Sequence, residues 1–146
     1  MNELLLIVVI AGERIALRSG DVQSVIELDL LAPVPCAPDH VAGLSALRSR
    51  VLTVIDCQCA LGLGMAPNRE AGAPAAVIDH DGHAYALLLD GIRNVTEARS
   101  APGPVRTRMG GNWAGMSHGM VETDEGPVLL LDVGTVIAGP REVRAA

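Results

Sequence analysis

The sequence predicts an all-β fold made of two related five-strand modules, and three observations carry that prediction. Apolar runs are short and are interrupted by Gly, Pro, Asp or Ser, as strands joined by tight turns require. Hydrophobic residues make up 49% of the chain, yet Phe is absent and Trp113 and Tyr85 stand alone, so the core must be built of Val, Leu, Ile and Ala. The chain also repeats itself. Gly12, Ala16, Leu17, Val22, Val25 and Glu27 match Gly82, Ala86, Leu87, Ile92, Val95 and Glu97 at one constant offset. Ala42, Gly43 and Ser45 match Ala114, Gly115 and Ser117, and Val54, Ile55, Asp56 and Leu61 match Leu130, Leu131, Asp132 and Ile137. Matching Gly, Glu and Asp at element boundaries favour duplication over chance identity among common apolar residues. Short strands of this kind close into small barrels or sandwiches, which removes exposed edges.

The elements follow in order. Leu4 to Ile10 is a strand buried on both faces, Gly12-Glu13 a turn, and Arg14 to Leu17 the returning strand. Ser19, Gly20 and Asp21 break the run before a second apolar segment, Val25 to Leu31. Pro33, Pro35 and Pro38 forbid regular helix or central strand. Leu44 to Leu47 and Val51 to Ile55 form a hairpin about Arg48-Ser49-Arg50, with Asp56 as the N-cap of a helical turn ended by Gly62. Residues 65–74 read as a linker with little to bury. Ala75 to Ile78 and Ala84 to Leu89 flank the turn His80-Asp81-Gly82, and Ile92 to Glu97 is the next strand. Ser100 to Asn112 is loop-like. Trp113 to Glu122 and Val128 to Leu131 pair around Asp124-Glu125-Gly126, and Asp132 caps a short helix through Ile137. The division expected is one domain over 1–146, with a first barrel half at 1–64, a linker at 65–74 and a second barrel half at 75–139.

Bulk properties narrow the function. At 146 residues the chain buries a core without disulfides or metal. A net charge of −6 argues against a nucleic-acid partner, which would want a basic face. Cys36, Cys57 and Cys59 leave one thiol odd under any pairing, which fits a reducing cytoplasm. The run Leu4 to Ala11 falls short of the roughly 20 residues that span a bilayer, and Glu3 sits where a signal peptide has a basic start. The expectation is a cytoplasmic chain with no direct membrane insertion.

The order of motifs resembles the CheW-like domain of bacterial chemotaxis over essentially the whole length. Glu13-Arg14-Ile15-Ala16-Leu17 stands at the family's "E-x-Y-A-L-P" segment, and Val25-Ile26-Glu27-Leu28 at its "V-x-E-I". The stretch from Pro35 to Gly43 matches "P-x-A-P-x-x-V-x-G". The most specific piece, Ser45-Ala46-Leu47-Arg48-Ser49-Arg50-Val51-Leu52-Thr53-Val54-Ile55-Asp56-Cys57, matches "I-N-L-R-G-x-V-L-P-V-I-D-L". Ala86 to Ile92 resembles "G-L-L-V-D-x-V". The resemblance implies two packed SH3-like barrels without catalytic activity or cofactor. It implies partners too: a chemoreceptor cytoplasmic tip along the groove between the barrels, and the regulatory domain of a CheA-type histidine kinase on barrel ends. Ser49 replaces the family's glycine and Thr53 its proline. A serine at positive φ is strained, unless the turn changes type.

The residues expected to form interaction surfaces are the Val22, Val25 and Glu27 segment, Gly43 with the Arg48 turn, and Asp90. Arginine is enriched at interface hot spots. Val22 and Val25 would present an apolar groove to a receptor helix. A rival reading makes the chain a small redox or metal protein using Cys57, Cys59 and nearby histidines; a C-x-C pair without a second cysteine cluster is a poor zinc signal. Another makes it an orphan two-barrel scaffold outside chemotaxis. Asp79-His80-Asp81-x-His83 is explained by a hairpin turn, and Gly110-Gly111 lacks the strand and helix that a phosphate-cradling loop needs.

Overall fold

Two five-stranded sheets make up the computed structural model, which describes residues 3–104 and 113–139. The strands are β1 (Leu4–Ile10), β2 (Glu13–Arg18), β3 (Ser24–Glu27), β4 (Val41–Leu47), β5 (Arg50–Asp56), β6 (Pro74–His80), β7 (His83–Leu88), β8 (Gly91–Glu97), β9 (Ser117–Thr123) and β10 (Gly126–Leu131). Two short helices, α1 (Cys57–Ala60) and α2 (Val133–Ala138), follow β5 and β10. One sheet has the order β8-β1-β2-β10-β9, the other β3-β6-β7-β5-β4. Both are antiparallel except where β10 meets β2 and β5 meets β7.

The repeat is present, but the barrels are not the sequential halves. The first copy supplies β1 to β5 and the second β6 to β10, yet β1 and β2 join β8 to β10 while β6 and β7 join β3 to β5. The expected division at 1–64 and 75–139 is therefore corrected: each barrel takes two strands from one copy and three from the other. Offset alone cannot tell exchange from independence, because either arrangement gives each strand the same kind of neighbour.

Three apolar clusters follow from strand alternation. Leu5, Ile7, Ala16, Val121, Val128 and Leu130 fill one barrel, and Leu52, Val54, Ala75, Val77, Ala86 and Leu88 fill the other. The intervening residues Val8, Ile10, Ile15 and Leu17 pack against Ile55, Ala76, Ile78, Leu87 and Leu89 in a third, larger cluster between the barrels. Strands β1, β2, β6 and β7 are thus buried on both faces, which explains their continuous apolar runs. Trp113 and Met116 also lie in that central cluster.

Several boundaries differ from expectation. The first hairpin turns at Ala11-Gly12 rather than Gly12-Glu13, since Ile10 pairs with Glu13. Strand β3 stops at Glu27, and Trp113 begins a 3-10 turn, so β9 starts only at Ser117. Residues 65–74 are not a loose linker. Ala66 and Ala73 are buried, the Asn68 side chain donates to Leu89 O, and Arg69 reaches Asp56 and Asp39 O. Part of the loop expected at Ser100 to Asn112, with Gly110-Gly111, lies outside the described residues.

The glycine pairing is corrected too. Gly43 lies at a bulge opposite Val54, with φ +152°, and Gly119 lies at the matching bulge opposite Leu130, with φ +113°. Added Cβ atoms there would stand 2.4 Å from Ala32 O and 2.2 Å from Gly103 O. These carbonyls belong to the bridges Ala32–Leu44 and Gly103–Met120, which close the barrels. Gly119, not Gly115, is the counterpart of Gly43.

Candidate protein-docking site

The turn between β4 and β5 is a two-residue loop in which Arg48 and Ser49 have φ of 50° and 76°. Positive φ at both central positions is the primed turn that matches strand twist. Of the two alternatives for Ser49, strain or a changed turn, the positive φ is the strained one. Arg48 is exposed at the tip and, among the described residues, makes no hydrogen bond or ion pair. Arg50 turns back instead. It donates to Asp79 at 2.7 Å and to Gln23 at 3.4 Å, and Gln23 also donates to Asp79. The guanidinium hydrogen bond holds the Asp79 carboxyl below its ordinary range. This network ties the base of the turn to the start of β3.

An apolar face lies beside that tip. Leu44 pairs with Thr53 and Ala46 with Val51, and directly opposed residues share a face. Leu44, Ala46 and Val51 are exposed, Val51 at 65%. The bridge from Ala32 to Leu44 sets the segment carrying exposed Leu30 and Val34 alongside. Sequence reasoning missed these residues for a physical reason: the amphipathic pattern is inverted, with Ser45 buried and Leu44 outside.

Strand β3 presents the second surface. Val25 pairs with Ala76, a member of the inter-barrel cluster, so it stands on the inter-barrel face at an open edge. Val22 packs against the same cluster, and Glu27 is exposed opposite Pro74. The repeat copies this surface on β8. Val95 pairs with Leu6 and is 56% exposed, with Ile92 and Leu4 also exposed. The matches Val22–Ile92 and Val25–Val95 already held the signal for this second edge.

The remaining expected positions sit elsewhere. Gly43 is buried at the barrel closure described above. Asp90 lies beyond the end of β7, far from the Arg48 turn, because β5 and β7 run parallel from Thr53–Tyr85 to Asp56–Leu88. Its Oδ2 accepts from the Gly12 N–H at 3.1 Å, and its own N–H donates to Val9 O at 2.8 Å. The structure joins the Arg48 turn to the start of β3 and leaves Asp90 apart.

The groups that suggested reaction chemistry have structural partners. Burial, and then the Asp56 carboxylate, push the Cys57 thiol far up, and the same causes raise Cys59. A reactive thiol needs the opposite shift. Among the described residues no group of three or more His, Cys, Asp or Glu is placed to hold a metal. His40 is buried with Nε2 3.0 Å from Ile137 O, linking the start of β4 to α2. Asp56 and Asp132 cap α1 and α2 through Cys59 N and Thr135 N. Asp56 is fully buried and also accepts from Ala66 N and Arg69 Nε, each at 2.8 Å.

A family model for the CheW-like domain matches residues 4–140. The chain belongs to the CheW-like domain family. Its architecture is that of the family's two SH3-like barrels, as a solved structure bears out. The scaffolding protein TtCheW from Thermoanaerobacter tengcongensis superposes with a TM-score of 0.75 at 19% sequence identity, over 90% of this chain and 84% of that one. No curated protein matches the sequence. No helix among the described residues is long and apolar enough to cross a membrane.

Proposed function

We propose that this chain is a non-catalytic chemotaxis adaptor, working in the cytoplasm, that couples chemoreceptors to a CheA-type histidine kinase. The observation that carries the reading is an exposed apolar face, Leu44, Ala46 and Val51, rimmed by the uncommitted guanidinium of Arg48, on a CheW-like fold. Arginine is enriched at interface hot spots, and the exposed aliphatic side chains beside it supply apolar area that a partner can cover. This face takes the kinase regulatory domain. Val22, Val25 and Glu27 offer an apolar edge with an acidic end to a helix of the receptor tip. Gly43 shapes β4 under the first face, and Asp90 fixes the crossing between barrels. Two faces on one rigid body bring receptor and kinase together, and neighbours in an array strengthen weak contacts by raising effective concentration.

The test is a titration of purified chain with the kinase regulatory domain and, separately, a receptor-tip fragment. Arg48→Glu and Val51→Asp are expected to weaken kinase binding about tenfold or more, and to shift unfolding by less than about 0.5 kcal/mol, as surface changes do. Equal losses of binding and stability would make the face structural. Failure of the unaltered chain to bind either partner would remove the coupling role.

A further inference from the structure

An open cleft of about 680 Å³ lies where the first hairpin turn, α1 and the 65–74 strap meet, lined by Ala11, Gly12, Gln58, Leu63, Pro67, Asn68 and Asp90. It lies at the opposite end of β7 from the Arg48 turn. Its one ionisable lining group is the Asp90 carboxylate. The Gly12 N–H is spent on Asp90 Oδ2, one hydrogen of the Gln58 amide on Leu63 O, and one hydrogen of the Asn68 amide on Leu89 O. Both amide orientations are fixed, because each nitrogen faces a carbonyl oxygen that only a donor satisfies. Acceptors also remain unspent. Asp90 Oδ1 and Gln58 Oε1 have no partner among the described residues, and Asn68 Oδ1 is buried without one. The nearest cation on the strap, Arg69, is turned inward onto Asp56 and Asp39 O.

We infer that this cleft binds the guanidinium of an arginine side chain carried by a partner protein. The Asp90 carboxylate repels an anion here. A planar donor-only cation finds the Asp90 carboxylate, and the walls of Ala11, Leu63 and Pro67 suit its methylene stem. The source of the arginine rests on the coupling reading above; the site itself does not.

The chemistry is tested by NMR titration of the whole chain with N-acetyl-arginine amide and with its neutral isostere, N-acetyl-citrulline amide. The expected result is saturable shifts of the Gly12 amide and the Asn68 side-chain amide, with arginine at least about tenfold tighter than citrulline, as a charge-assisted bond implies. Asp90→Asn keeps an acceptor for the Gly12 N–H while removing the charge, and is expected to erase the preference without lowering the unfolding midpoint. Equal binding of the two probes, or no saturable shift, overturns the site. The comparison of probes on the unaltered chain needs no variant, so it holds even if Asp90→Asn folds poorly. If arginine binds the cleft but neither receptor tip nor kinase domain binds the chain, the site stands and the coupling reading falls.

Discussion

Ser49 holds a φ of 76° that glycine would accept without cost. A residue with a Cβ in the left-handed region loses about 1–2 kcal/mol, and glycine's extra freedom in the unfolded chain returns part of that. Ser49→Gly is therefore expected to stabilise the fold by about 0.5–1 kcal/mol in urea unfolding, with Arg48 left in place. An unchanged or lower midpoint would show that the turn has relieved the strain elsewhere. This residue also marks the reach of sequence reading. The turn and its exposed arginine were legible, because Arg48-Ser49-Arg50 interrupts two apolar runs. The backbone choice was not, because a serine fits a strained primed turn or a different turn equally well on paper. The pairing of Arg50 was likewise not legible, because its partner Asp79 is distant in sequence.

Among the elements, β4 and β9 depend on glycine at the point where each barrel closes. At Gly43 and Gly119 a side chain meets backbone carbonyl rather than a movable side chain. Gly43→Ala and Gly119→Ala are each expected to cost about 2 kcal/mol or more by denaturant unfolding, within the range for strain at special backbone positions. A loss below about 0.5 kcal/mol would mean that the bridges at Ala32 and Gly103 yield easily. The existence of these strands was legible from their apolar residues and from the caps Asp56 and Asp132. The matching of Gly43 to Gly115 failed because Ala-Gly and Ser recur by composition near both. Only the bulge register, Gly43 opposite Val54 and Gly119 opposite Leu130, picks the true partner. The 65–74 strap misled for a related reason. Its polar residues look solvated in sequence, yet Arg69 serves a carboxylate that is wholly buried. Breaking such a pair leaves an uncompensated charge and typically costs 3–5 kcal/mol.

For the whole molecule, the exchange of strands between copies decides what is separable. A chain cut between Met65 and Ala73 yields a first fragment whose β1 and β2 lack β8 to β10, and whose β3 to β5 lack β6 and β7. Neither fragment is expected to fold cooperatively alone, and an equimolar mixture is expected to recover the intact chain's circular dichroism and melting. A first fragment that melts cooperatively on its own would contradict the exchanged topology. Duplication was legible from the sequence. The exchange was not, since it changes partners without changing any strand's burial pattern.

The same topology bears on synthesis. The barrel of β3 to β7 can close once Leu88 has left the ribosome, but β1 and β2 must wait for β9 and β10, near the far end of the chain. At ~5–20 residues per second that delay is about 2–9 seconds. Throughout it, a nascent hairpin containing Leu5, Ile7, Val8 and Ile10 has only part of its cover, which makes it a natural client for a ribosome-associated chaperone.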